Sequence, residues 1–296
     1  MSAIPATPLV ITATPTLFHE DESLNVEATR AHLTWLHERG VDALFPVGTS
    51  GEFTSLSDEE RLTVLKIALE IFPADAVYVH VGAATAHQAE RLVRDAVAAG
   101  ATRMAAVTPF YQPAPEDQVV EYYRRLVAAA DGRALVFAYL FEARTSTVSR
   151  PEILGRLAEV GVAGVKLSGE SDASVQAYLE AAPEGFAVFS GNDVSFGWLI
   201  QAGGHGIVSG VSSAYPEAFS GLRDALIAED SSAISAGQAR VEEAVSAVRA
   251  GSLTHLKAGI TARGFAAGPV RTAVAPTSAN DRAGIEALAA RYAAEA

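Results

Sequence analysis

Along the chain, short apolar runs rich in β-branched residues alternate with longer amphipathic stretches. The short runs predict strands over Leu9–Thr14, Ala43–Pro46, Val77–His80, Arg103–Val107, Ala134–Tyr139, Val162–Leu167, Ala187–Ser190 and Gly206–Ser209. Between them, apolar positions recur at helical spacing over Val26–Arg39, Asp58–Ile71, Ala86–Ala99, Glu116–Ala130, Pro151–Glu159, Ala173–Ala182 and Val194–Ala202. A further helix, Ala214–Ile227, follows the last strand. Local signals agree: Ser57 ahead of Asp58-Glu59-Glu60 forms a capping box, and Gly40 and Gly100 sit where helices should end.

Strand and helix alternate eight times, which predicts a parallel sheet with crossover helices. Eight such units in about 225 residues fit a closed (β/α)8 TIM barrel better than an open sheet. A doubly wound sheet is the other reading, but no GxGxxG follows the first strand. Beyond residue 228 the strand signal stops. Residues 229–296 read as a C-terminal helical appendage, broken around Gly264–Pro276, packed on a barrel formed by residues 1–228.

Composition narrows the function classes. The 296 residues are 49% hydrophobic, enough for a large core and against disorder. A formal net charge of −13 argues against nucleic acid and anionic membranes as partners. With no cysteine there are no disulfides and no thiolate chemistry. The first 15 residues lack a basic stretch followed by an apolar run, and no run of 18 apolar residues occurs, so a soluble cytoplasmic protein is expected.

In a barrel of this kind reactive groups lie at the C-terminal ends of strands and in the loops that follow. Arg stays protonated, so amine chemistry falls to the three lysines, Lys66, Lys166 and Lys257. Lys66 lies four residues before Glu70 on an amphipathic helix and reads as an exposed ion pair. Lys257, beside His255 in the helical tail, reads as a surface residue. Lys166 ends the run Val162-Ala163-Gly164-Val165, in a central strand. There it is either a neutral amine able to condense with a carbonyl, or an ammonium paired with a carboxylate such as Glu170.

Tyr139 ends the preceding strand, where a phenol can relay protons or merely cap the core. Gly48-Thr49-Ser50-Gly51 offers N–H groups and two hydroxyls at a strand end, a candidate carboxylate cradle. His80 and His205, with Glu52 and Asp193, are the strand-end groups a metal would need, but they show no ligand spacing, and no metal or cofactor is expected. His205 reads as structural.

Six segments in order resemble the dihydrodipicolinate synthase / N-acetylneuraminate lyase family over nearly the whole chain. They are Gly48-Thr49-Ser50-Gly51-Glu52, Val107-Thr108-Pro109-Phe110-Tyr111, Tyr139 to Thr145, Gly164-Val165-Lys166, Ser190-Gly191-Asn192-Asp193 and Gly203-Gly204-His205-Gly206. The resemblance implies that Lys166 is the Schiff-base lysine and Tyr139 the proton-relaying tyrosine. By the same resemblance Thr49 and Ser50 hold the keto acid's carboxylate, Thr49 also joins the relay, and Tyr111 reaches into the neighbouring subunit's site. Gly191 and Val208 match residues that line the keto-acid pocket, and Arg144 matches the arginine that binds the aldehyde's carboxylate. A homotetramer, built as a dimer of dimers, is implied too.

The chain also departs from the synthases. Their strand end reads Tyr-Asn-Val-Pro-x-Arg-Thr-Gly, whereas here Tyr139-Leu140-Phe141-Glu142-Ala143-Arg144-Thr145-Ser146 stands. Leu167 replaces the acidic residue that commonly follows the lysine, and Asp58, Arg61 and the stretch Ala83–Ala86 lack the feedback-lysine residues. The expected function is therefore a lyase or aldolase acting through a Lys166 Schiff base with pyruvate or another 2-keto acid, with the second substrate open. The alternatives are a 4-hydroxy-tetrahydrodipicolinate synthase proper, or a family member that binds small molecules without turnover.

Overall fold

The computed structural model describes residues 8–295. The residues before Pro8, part of the stretch read as lacking a signal peptide, lie outside it. Its strands are β1 (Leu9–Thr12), β2 (Ala43–Leu44), β3 (Tyr78–His80), β4 (Arg103–Val107), β5 (Leu135–Leu140), β6 (Gly164–Leu167), β7 (Ala187–Ser190) and β8 (Gly206–Ser209). The helices between them are α1 (Val26–Glu38), α2 (Asp58–Ile71), α3 (Ala86–Ala98), α4 (Glu116–Ala130), α5 (Glu142–Thr145), α6 (Ile153–Glu159), α7 (Asp172–Ala181) and α8 (Phe196–Gln201). After β8 come α9 (Pro216–Ile227), α10 (Ser231–Ala247), α11 (Leu253–Ala262) and α12 (Ala279–Ala294).

The strands form one sheet in the order β2-β1-β8-β7-β6-β5-β4-β3, and every strand is followed by a helix. This is a (β/α)8 TIM barrel with C-terminal helices. Strand lengths differ slightly from expectation. β6 starts at Gly164, because the N–H of Val162 turns back to the Leu157 carbonyl. Pro151 and Glu152 form a turn before α6, which starts at Ile153. The capping box predicted at Ser57 is present, with Ser57 Oγ accepting from Glu60 N–H and the Glu60 carboxylate from Ser57 N–H.

Contacts group the chain into two compact units: one holds Pro73–Val208 with Leu9, the other Val10–Phe72 with the chain from Ser209 onward. In the first, the aromatic rings of Tyr78, Phe137 and Phe189 pack against one another, with centroids 5.2 to 6.2 Å apart. A glycine makes room for them. Gly164 is the register partner of Phe137. A Cβ on Gly164 would fall 2.6 Å from the Ala187 carbonyl and 3.0 Å from the Phe137 ring.

In the second unit, α9 and α10 approach closely at Gly237, where a Cβ would lie 3.0 Å from Leu222 Cα. Tyr215, at the start of α9, donates to the Ile285 carbonyl of α12 at 3.1 Å. The predicted break between the last helices is present, as the non-helical stretch between α11 and α12. Among the described residues no helix is long and apolar enough to cross a membrane.

Candidate active site

Lys166 is the third residue of β6, flanked in register by Tyr139 on β5 and Phe189 on β7. Side chains alternate along a strand, so Lys166 shares its face with Gly164. The missing Gly164 side chain leaves the layer beneath to the aromatic cluster. Lys166 is 6% exposed, and its Nζ lies 4.0 Å from the centroid of the Tyr139 ring. Glu170, the alternative partner in sequence, accepts from Ser174 Oγ at 2.6 Å.

Tyr139 is held from three sides. The Tyr123 hydroxyl of α4 donates to the Ala106 carbonyl at 2.7 Å and accepts from Tyr139 N–H at 3.2 Å, tying the ends of β4 and β5 together. Burial pushes the Tyr123 phenol well above its ordinary value, which keeps it a neutral bridge. His80 stands edge-on to the Tyr139 ring at 6.2 Å, and its Nε2 accepts from Val107 N–H at 3.1 Å. Phe141 stacks on the other side at 6.0 Å. The sequence pointed to His80 only as a strand-end metal candidate and did not mark Tyr123. The signal available for Tyr123 was its place on the buried stripe Val119, Tyr122, Tyr123, Leu126.

The other expected residues of this unit sit at strand ends or in the loops after them. Gly191 follows β7, and its N–H donates to the Leu167 carbonyl at 2.7 Å. A Cβ there would lie 2.5 Å from Ser168 Oγ. Val208, in β8, is buried. Arg144, on the short α5, is exposed, with its guanidinium 6.0 Å from the Phe141 ring. Tyr111 stands apart, 89% exposed and held at φ +74°, a conformation uncommon for an aromatic residue. His205 is structural, as expected: its Nδ1 accepts from Val188 N–H at 3.2 Å. Burial holds its imidazole below the usual range.

Thr49 and Ser50 belong to the second unit, in the loop after β2. This loop opens at Val47, at φ +51°, and ends at Glu52, at φ +55°. A β-branched residue held in that region costs about 1–3 kcal/mol, so the surroundings must enforce the turn. Glu52 N–H donates to the Thr49 carbonyl at 3.1 Å, Phe53 N–H to the Gly48 carbonyl at 3.2 Å, and Thr16 Oγ1 to the Gly51 carbonyl at 2.7 Å. A Cβ on Gly51 would lie 2.8 Å from Val47 Cα, so a side chain there would open the turn. Ser50 Oγ lies beside Gly210, 2.9 Å from where a Cβ would stand.

Two lysine readings are corrected. Lys66 is exposed, but Glu70 pairs with Arg30 at 2.5 Å. Lys257 is buried, 4% exposed, with Nζ 3.1 Å from Glu52 Oε1. It escaped detection because His255–Ile260 of α11 are buried without a break, leaving no polar face to mark.

A family model described as the dihydrodipicolinate synthetase family matches residues 7–291. An uncharacterized DapA-like lyase of Halobacterium salinarum is 33% identical over 281 residues, 94% of this chain and 91% of that protein. A 4-hydroxy-tetrahydrodipicolinate synthase of Exiguobacterium sp. is 32% identical over 279 residues, 93% of this chain and 94% of that one. Among solved structures, a Sulfolobus solfataricus 2-keto-3-deoxygluconate aldolase variant superposes with a TM-score of 0.85 at 24% identity, over 97% of each chain. A prophage protein of E. coli K12 from the dihydrodipicolinic acid synthase family, solved with pyruvate, superposes with a TM-score of 0.87 at 22% identity, over 97% of this chain and 98% of its own. The chain belongs to the dihydrodipicolinate synthetase family of lyases and aldolases.

Proposed function

We propose that the protein is a lyase or aldolase that binds pyruvate or another 2-keto acid as a Schiff base on Lys166. The observation that carries this reading is the buried Lys166 Nζ above the Tyr139 ring, on in-register neighbouring strand ends. The Lys166 amine attacks the keto carbon, and loss of water leaves a protonated imine. That imine accepts the electron pair of the carbon–carbon bond cleaved next to it while the hydroxyl on the departing carbon gives its proton to Tyr139, leaving an enamine and releasing an aldehyde; condensation is the same path reversed. Tyr139 relays the protons that addition and water loss require.

By motif, Thr49 and Ser50 hold the keto acid's carboxylate, Thr49 also joins the relay, and Gly191 and Val208 line the keto-acid pocket. Arg144 binds a carboxylate or hydroxyls of the second substrate, its planar fork being suited to a bidentate partner. The exposed, positive-φ Tyr111 supports a role at a subunit interface, in a homotetramer where it enters a neighbour's site. Phe141-Glu142 in place of the synthases' pattern supports a second substrate other than theirs. Borohydride reduction in the presence of pyruvate tests the reading directly, because it fixes an imine to the lysine that formed it.

A further inference from the structure

The buried pair Glu52–Lys257 has no part in the chemistry just described, yet it is built at the end of the Thr49-Ser50 loop. Glu52 is fully buried and Lys257 nearly so, an arrangement tolerated only when the charges are paired and otherwise satisfied. Lys257 Nζ lies 3.1 Å from Glu52 Oε1 and donates to the Pro269 carbonyl at 2.5 Å. Glu52 Oε2 accepts from Thr272 N–H at 2.8 Å. Both partners therefore grip the segment between α11 and α12.

A second anchor holds the same segment. The Arg271 guanidinium forks onto both Glu60 carboxylate oxygens, at 2.6 and 2.9 Å, and donates to the Ser55 and Glu22 carbonyls. Both cations pack on Phe18, with Lys257 Nζ 4.2 Å and the Arg271 guanidinium 4.1 Å from its centroid. Burial pushes the Lys257 ammonium below its ordinary value, and the Glu52 carboxylate opposes that push.

We infer that Glu52 and Lys257 are positioning residues. They lock the C-terminal segment onto the Gly48–Glu52 loop and so hold Thr49 and Ser50 in the turn that receives the keto acid's carboxylate. This rests on the reading of Thr49 and Ser50 given above. It assigns the C-terminal segment a part in keto-acid binding, through a loop whose φ values at Val47 and Glu52 need outside support.

The test is the pyruvate concentration that half-saturates borohydride labelling of the full-length protein, measured beside the thermal midpoint. The double variant Glu52→Gln/Lys257→Met removes both charges at similar volume, a change that buried pairs often tolerate. It should need about tenfold more pyruvate, with the final extent of labelling unchanged. Arg271→Ala should move half-saturation the same way by a smaller factor, and Lys257→Arg should stay nearer the parent than the double variant. Thr49→Val is the control for the underlying reading. If Thr49→Val raises half-saturation while the double variant and Arg271→Ala leave it at the parental value, the inference is overturned even if the midpoint falls. If Thr49→Val leaves it unchanged, the reading of the loop fails and the inference falls with it.

Discussion

Lys166 Nζ lies 4.0 Å from the centroid of the Tyr139 ring, and the two residues are register partners at the ends of β6 and β5. Strand pairing alone brings them side by side. The Tyr123 bridge holds the Tyr139 backbone, and the edge-on His80 and stacked Phe141 pack against its ring. On the function proposed above, this ring carries the phenol that relays protons.

Removing its hydroxyl should therefore cost turnover more than binding. Tyr139→Phe is expected to lower kcat by about 10²–10⁴-fold, the usual worth of a positioned acid–base group, while the protein still binds pyruvate. Steady-state kinetics with calorimetric pyruvate titration separates the two. A parental kcat would remove Tyr139 from the relay.

Gly164 gives room to the aromatic cluster beneath Lys166. Gly164→Ala would place a methyl group 2.6 Å from the Ala187 carbonyl and 2.8 Å from Ala187 Cβ. Overpacking of this kind costs about 1–3 kcal/mol, and denaturant unfolding should read a loss in that range. An unchanged midpoint would show that β6 and β7 can separate there without cost.

Arg144 is exposed on α5 and free to meet a substrate. Arg144→Ala should raise KM for the second substrate more than for the keto acid. Kinetics with each substrate varied in turn checks it, and equal changes in both constants would contradict the role.

His32 provides a pH signature outside the chemistry. Burial lowers its pKa to about 4, against which the bond to the Ser213 carbonyl acts. The unfolded chain therefore binds this proton more readily than the folded one. Stability from this group is complete above pH 6.5, its unfolded value, and is lost as pH falls toward 4. The span corresponds to roughly 3 kcal/mol. Unfolding of the parent and of His32→Gln across that window should show a slope in the parent that the variant lacks.

Much of the fold was legible because strand and helix periods differ and alternate. Arg103–Val107, Ala187–Ser190 and Gly206–Ser209 have the ends that periodicity predicts. Boundaries slipped where backbone bonding decides, as at Val162, whose N–H closes a helical turn instead of entering β6. The placement of Lys166 and Tyr139 at neighbouring strand ends was legible, because a strand end marks its residue. The Glu52–Lys257 pair was not, because it joins residues 205 positions apart across a helix with no polar face to betray a buried charge.

The central claim concerns one nitrogen. Treatment with borohydride and pyruvate, followed by peptide mass analysis, should show the reduced pyruvate adduct on the Lys166 peptide, with activity lost in step and no adduct in Lys166→Ala. An unlabelled protein, or an adduct on Lys66 or Lys257 with Lys166 unmodified, would contradict the account.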